Sequence, residues 1–324
     1  MSKVLVTGGA GFIGSHLVDA LVADGLPVVV LDNLSNGSLD NIKRNIGGKD
    51  FVFVQADLLH KNILFDVVRG CDVIWHLAAN PEVRLSSMIP DVHFNQNIWA
   101  TYNLLEAMRK DGHARVLCFA STSTVYGEAS KIPTPEDYSP LEPISIYGAS
   151  KLACEALISS YAHTYGFRAV IYRLANIVGS RSGHGIIYDF VSKLRNDQKM
   201  LEILGDGTQT KSYLHVSDCI EAMILGLKKS TGKVEVYNVG SEDKINVKSI
   251  ADIVVEEMGL KDVSYYFTGG VQGGRGWLGD VKVMLLDITK LKSIGWRPKL
   301  DSASAIKKAT RELIEEGNNR QDTQ

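Results

Sequence analysis

The chain has 324 residues, with 35 Lys and Arg against 37 Asp and Glu, a formal net charge of -2, 45% hydrophobic and 22% charged residues. That is the composition of an ordinary globular protein of one compound domain or two, and it excludes a small disulfide- or metal-stapled module. Near-neutral charge gives no electrostatic footprint for nucleic acid, so function is expected in a shaped pocket.

The first apolar run, Val4–Val6, leads straight into Thr7-Gly8-Gly9-Ala10-Gly11-Phe12-Ile13-Gly14 and a helix over Ile13–Ala23. Glycines at 8, 11 and 14 form a variant of the dinucleotide loop, in which a turn without Cβ lets a pyrophosphate rest on backbone N–H groups at a helix N-terminus. The second run, Val28–Leu31, ends in Asp32, where the fingerprint places an acidic side chain for the adenosine ribose hydroxyls. A carboxylate there repels a 2′-phosphate and favours NAD over NADP. The third run, Phe51–Gln55, is followed by Asp57, which suits either an adenine contact or a helix cap. Val73–Leu77 reads as the fourth strand and Val92–Lys110 as a single long helix.

Val116–Ala120 reads as the fifth strand and delivers the hydroxyl-rich loop Ala120–Gly127 to the carboxyl end of the sheet, where open α/β folds bind ligands. Next come Tyr147 and Lys151, whose spacing of four puts both on one face if that segment is helical, and a helix read over Lys151–Tyr165. A phenol beside an ammonium and a cationic nicotinamide can act as a base toward a substrate hydroxyl. After the strand Ala169–Tyr172 the rhythm becomes irregular, with Gly-rich loops between helices over Ile186–Arg195, Val247–Met258 and Ser302–Glu316.

The alternation predicts an α/β fold: a doubly wound Rossmann parallel sheet over 1–175, with 213–240 returning to it, and a smaller mixed α/β lobe over 176–324 that packs on it to enclose a cleft. Cys71, Cys118, Cys154 and Cys219 have no metal-ligand spacing and read as reduced thiols, so no metal is expected. No run approaches the ~18 apolar residues of a membrane span. The opening residues leave no room for a secretion signal, and the expectation is a cytoplasmic protein whose residues Gly317–Gln324 fray.

Thr7–Gly14, Asp32-Asn33, Asp57-Leu58, His76-Leu77-Ala78-Ala79, Asn97 with Thr101 and Asn103–Ala107, Val125-Tyr126-Gly127, Tyr147 with Lys151, Arg173 with Asn176 and Gly179, Ser212–Asp218 and Tyr237–Gly240 occur in one order. Together they resemble the extended short-chain dehydrogenase/reductases and, within them, the UDP-glucose (UDP-galactose) 4-epimerases, over nearly the whole chain. The resemblance implies an NAD-dependent isomerase. Hydride leaves C4 of a UDP-hexose while Tyr147 removes the 4-OH proton, the 4-keto sugar turns, and the hydride returns to its other face.

It implies cofactor contacts from Gly8, Gly11, Phe12, Ile13, Gly14, Asp32, Asn33, Asp57, Leu58, Leu77, Ala78, Ala79, Asn97, Tyr147 and Lys151. Counting back four residues from Tyr126, the hydroxyl of the catalytic trio is Thr122, where 4-epimerases usually carry serine. Substrate contacts are implied for Thr122, Thr124, Tyr147, Asn176, Lys211, Tyr213 and Arg275, with Lys211 standing where many 4-epimerases have arginine. His76, His215 and Asp218 read as structural. Ser123 and Thr124 occupy the positions of the carboxylates that related 4,6-dehydratases and decarboxylases use, which argues for epimerisation. An epimerase of UDP-N-acetylhexosamine or UDP-glucuronate, a decarboxylase or dehydratase, and a catalytically silent NAD-binding sensor remain the alternatives. Relatives pair through the helices matching Val92–Lys110 and Lys151–Tyr165, so a homodimer is expected.

Overall fold

The computed structural model describes residues 2–321. In chain order, β1 (Val4–Thr7), α1 (Phe12–Ala23), β2 (Val28–Asp32), β3 (Phe51–Gln55), α2 (Lys61–Val68), β4 (Val73–His76), α3 (Pro90–His93), α4 (Ala100–Asp111), β5 (Val116–Thr122), α5 (Ile146–Tyr165) and β6 (Arg168–Leu174) alternate as the sequence predicts. The strand Val234–Val239 completes a seven-stranded sheet in the order Val234–Val239, β6, β5, β4, β1, β2, β3. β1 pairs in parallel with both β2 and β4, β2 with β3, and β4 with β5.

Every residue of β1 and β2 is buried, as expected of strands covered on both faces. Leu5, Leu31, Ile74, Leu104, Leu117, Phe119 and Ile158 form the core between sheet and helices. Trp75 stacks on Tyr172 at 6.0 Å, and Tyr172 on Tyr237 at 6.2 Å. The chain leaves β1 toward β2 and β3 and then returns to the other side of β1 with β4. That reversal puts a topological switch point at the carboxyl ends of β1 and β4, the ligand position of such sheets.

The long helix expected over Val92–Lys110 is three pieces: α3, a π-helical stretch over Phe94–Trp99, and α4. Its buried Asn97 bonds the Asn80 N–H and the Ser150 hydroxyl, while Phe94 and Trp99 stay exposed, so the stretch follows polar contacts rather than one apolar stripe.

The described residues form two compact units, the first comprising residues up to 125 with 146–173 and 223–237, the second 126–145, 174–222 and 238–321. Within the second unit, residues 126–145 are tethered by the Tyr126 hydroxyl donating to Asn238 Oδ1 at 2.7 Å and by two backbone bonds between Thr134 and residues 285 and 287. No periodicity in the sequence announces these tethers. Short strands build this unit: Asn176–Val178 beside Tyr213–His215, Met200–Ile203 beside Ser264–Phe267, and Thr210–Lys211 between Ile245–Asn246 and Val283–Met284. Helices Ile186–Asn196, Val247–Glu257 and Ser302–Gln321 close its core around Phe190, Leu201, Ile250 and Ile306. The fraying expected from Gly317 does not occur over 317–321, which continue the last helix; residues 322–324 lie outside the described residues. The Arg181 N–H donates to the Glu316 carboxylate at 2.9 Å and the Arg195 guanidinium to the Ile314 carbonyl at 3.2 Å, securing that end.

His76, at the end of β4, joins strands to helix. Its Nδ1 meets the Thr7 hydroxyl at 2.8 Å and its Nε2 the Thr101 hydroxyl at 2.9 Å, while Thr101 donates to the Asn97 carbonyl at 2.6 Å. With the Thr101 proton engaged there, Nε2 carries the imidazole hydrogen and Nδ1 accepts from Thr7. Burial, aided by the Lys151 charge, lowers the imidazole to about 3. The unfolded chain therefore binds a proton that the folded one refuses. Stability should fall as pH drops from about 6.5 toward 3, with a limiting slope of about 1.4 kcal/mol per pH unit from this group. Denaturant titrations at a series of pH values should show a shallower acid loss in His76→Gln than in the parent; equal slopes would refute the assignment.

Candidate active site

The glycine loop is defined by what would collide. A Cβ on Gly8, at φ +70°, would lie 2.6 Å from the Ala78 nitrogen, and one on Gly14 would lie 2.0 Å from the Gly8 carbonyl oxygen. Leu77 and Ala78 are thus packed against the loop, with the Leu77 N–H bonded to Thr7 O at 3.1 Å and Ala79 following them. Gly11 caps α1 without a side chain, so the N–H groups of Phe12, Ile13 and Gly14 open a helical turn that offers them no intrahelical acceptor. This is an anion cradle built of backbone, and it fits a dinucleotide pyrophosphate.

Asp32 sits at the end of β2. One carboxylate oxygen accepts the Ala10 N–H at 2.9 Å and the other the Leu34 N–H at 2.8 Å. Burial raises its pKa against those two bonds, and each oxygen keeps a lone pair for a ribose hydroxyl. Asn33 Nδ2 donates to Asp57 Oδ2 at 2.8 Å, and Asp57 Oδ1 accepts the Leu59 N–H, so Asp57 closes a turn before α2 rather than capping it. The Leu58 side chain belongs to the core, leaving its backbone for any cofactor contact. Sequence reasoning missed the loop after β2, whose Ser38 N–H and Asn41 amide both bond the Ala10 carbonyl and hold the glycine loop from behind. Asn97 is engaged inside the protein: Oδ1 accepts the Asn80 N–H, and Nδ2 reaches Ser150 at 2.9 Å and His93 at 3.3 Å.

Thr122 and Tyr147 meet where β5 ends and α5 begins. Thr122 Oγ1 accepts the Thr124 N–H at 3.2 Å and the Thr124 hydroxyl at 3.1 Å, leaving its own proton for the Tyr147 oxygen. Burial pushes the Tyr147 phenol up to about 12, and the Thr122 bond opposes that. The Ser150 hydroxyl donates to the Tyr147 carbonyl at 2.7 Å, and the His93 ring meets the Tyr147 ring edge-on at 5.7 Å. Lys151, one turn further and 3% exposed, lies 4.3 Å from the Phe119 ring centroid. Burial lowers its ammonium to about 8. A phenol, a hydroxyl that hydrogen-bonds it and a buried cation form a unit able to move one proton to and from a substrate hydroxyl.

The remaining proposed contacts belong to the second unit. Asn176 pairs in register with Tyr213, and its amide donates to the Ser212 carbonyl at 3.1 Å. Tyr213 is buried in that unit's core, with its phenol raised by burial. Lys211 is ion-paired with the buried Asp280 and lies 5.5 Å from the Trp277 ring centroid, while Asp280 also accepts the Gly276 N–H at 3.1 Å. Arg275 pairs with Glu128 at 2.6 Å. Each cation thus already has a carboxylate partner, and neither Asp280 nor Glu128 stood out in the sequence, because each lies far along the chain from the cation it meets. Two glycines of 269–279 answer to the unit's own packing: a Cβ on Gly270 would lie 2.1 Å from the Arg275 carbonyl oxygen, and one on Gly274 1.9 Å from the Asp206 carboxylate. His215 binds Glu312 at 3.1 Å, and Asp218 accepts the Lys299 N–H at 2.9 Å. Among the described residues no cluster of His, Cys, Asp and Glu suits a metal, and no helix is long and apolar enough to cross a membrane.

Comparison with known proteins agrees with this geometry. The chain is 34% identical over 310 residues to a putative UDP-glucose 4-epimerase of Methanocaldococcus jannaschii, covering 94% of this chain and 96% of that one. A crystal structure of a UDP-galactose 4-epimerase superimposes with TM-score 0.85 at 44% identity, covering 97% of this chain and 99% of that one. A Bacillus cereus UDP-glucuronic acid 4-epimerase, crystallised with UDP-glucuronic acid and NAD, superimposes with TM-score 0.87 at 30% identity, covering 97% and 99%. The family model described as NAD dependent epimerase/dehydratase matches residues 4–240, and the chain is a member of that family.

Proposed function

We propose that this enzyme interconverts UDP-glucose and UDP-galactose. The observation that carries the reading is the Thr122–Tyr147–Lys151 unit with no carboxyl group at the two positions after Thr122. When bound, NAD supplies a reversible hydride acceptor and a positive charge. The Tyr147 oxygen takes the proton of the sugar 4-OH and later gives it back. The Lys151 ammonium stabilises the phenolate, and the Thr122 hydroxyl donates to it and fixes its direction. Ser123 and Thr124 cannot exchange protons at C5 and C6, which favours epimerisation over dehydration or decarboxylation.

In this reading the first unit holds the cofactor through the Gly8–Gly14 loop and Asp32. The second contributes Asn176, Lys211, Tyr213 and Arg275 to the UDP moiety, with Glu128 and Asp280 giving way to or sharing their cations with the diphosphate. The likeness to a UDP-glucuronic acid 4-epimerase makes the uronic acid the second substrate to test, followed by the N-acetylated sugar. We carry forward a cytoplasmic location and a homodimer, the latter supported by the exposed Phe94, Trp99 and Tyr165 around α4 and α5.

Purified protein given UDP-galactose without added NAD should yield UDP-glucose of unchanged mass. Turnover only of UDP-glucuronate or UDP-N-acetylglucosamine would move the assignment to that sugar, and loss of water or CO2 would refute epimerisation. Tyr147→Phe should reduce kcat by several orders of magnitude while NAD remains bound, as read by cofactor absorbance. Thr122→Ser should keep most activity and Thr122→Ala should lose about 10²-fold, because the hydroxyl rather than the methyl does the work. With Lys151 cationic only below about 8, kcat should decline as pH rises through that value.

A further inference from the structure

We propose that Glu155 is a positioning residue for the Tyr147–Lys151 pair, clamped by Ser121 and Arg173 so that its carboxylate anchors α5 to β5 and β6 and balances the buried ammonium. Tyr147, Lys151 and Glu155 are spaced four residues apart and share one face of α5. Ser121 Oγ donates to Glu155 Oε1 at 2.5 Å. The Arg173 guanidinium grips the same carboxylate, Nε at 3.1 and 3.2 Å from its two oxygens and Nη2 at 2.7 Å from Oε2. Glu155 and Arg173 are 6% and 5% exposed. Ser121 adjoins Thr122 on β5, so consecutive hydroxyls fasten the two ends of one helical face.

A buried ion pair is a poor way to stabilise a helix against a sheet, since apolar residues of the same volume serve as well or better. The charges need another reason, and Lys151 supplies it, given the reading of Tyr147 as a base that depends on that ammonium. The groups that face Lys151 are Tyr147, Cys154 and Glu155 on its own helix, His76 on β4, the Phe119 ring on β5, and Arg173 on β6 behind Glu155. Cys154 and Tyr147 are both driven toward their neutral forms by burial, and so is His76. Glu155, ion-paired with Arg173, is then the carboxylate of this set. Burial lowers Lys151, and the Glu155 carboxylate opposes it.

The test is a carbon NMR titration of the lysine side chains in the full-length, NAD-loaded protein, with the Lys151 signal assigned by its loss in Lys151→Met. In Glu155→Gln, which keeps an acceptor for Ser121 but removes the charge, the Lys151 midpoint should fall by about one pH unit. The alkaline limit of turnover should fall with it. Ser121→Ala, which keeps the charge, should leave the midpoint in place. If Glu155→Gln strands the Arg173 guanidinium and does not fold, Glu155→Gln with Arg173→Met removes the pair together and should move the midpoint in the same direction. A folded variant without the carboxylate whose Lys151 midpoint equals that of the parent would overturn the proposal, even if thermally weakened. Because the titration needs no sugar, a parent protein inactive on every UDP-sugar would refute the functional reading while leaving this measurement to stand or fall separately.

Discussion

Holding an ammonium group inside the first unit is the constraint around which the surroundings of Tyr147 and Lys151 are arranged. An isolated charge of that kind is expelled from a protein interior or loses its proton. Lys151 nevertheless lies beneath the Phe119 ring, with Tyr147 one turn before it and Glu155 one turn after. The bonds that fix α5 follow from that need: Thr122 to the phenol, Ser121 and Arg173 to the carboxylate, and Asn97 through Ser150 to the Tyr147 carbonyl. Each is buried or nearly so, and each removes a freedom that would otherwise let the phenol leave its position.

A second group of contacts acts on the opposite charge. The glycine loop, the start of α1 and the chain after β4 approach so closely that backbone takes the place of side chains, and the exposed N–H groups favour an anion. His76 links this region to the one around Tyr147, since its ring joins Thr7, just before the glycine loop, to Thr101, whose proton goes to Asn97. Its neutrality is useful there. A protonated imidazole beside Lys151 would add a further buried cation, and burial forbids it.

The second unit obeys a different logic. Its cations are not left open: Lys211 meets Asp280 and Arg275 meets Glu128, while its positive-φ glycines at 270 and 274 let loop backbone pack against the Arg275 carbonyl and the Asp206 carboxylate. A diphosphate arriving there would compete with carboxylates already in place. The same glycine surplus that signals a dinucleotide loop at residues 8–14 therefore has a packing cause at Gly270 and Gly274, and composition alone does not separate the two.

Sequence by itself determined the doubly wound class, the order of the strands through β6, the dinucleotide loop with Asp32, and the helical spacing of Tyr147 and Lys151. These rest on local rules: periods of two and 3.6, a turn that excludes Cβ, and neighbours four residues apart. The choice of Thr122 among several hydroxyls came from resemblance, since no local rule separates it from its neighbours in the loop. Tertiary structure alone decided the π-helical stretch at Phe94–Trp99, the assignment of residues 126–145 to the second unit, the helical order of 317–321, and the carboxylates opposite Lys211 and Arg275. It alone also brought Ser121, Glu155 and Arg173 together. Those contacts join residues distant along the chain, and whether a charge is buried, paired or free depends on what the fold packs against it, which no local pattern records.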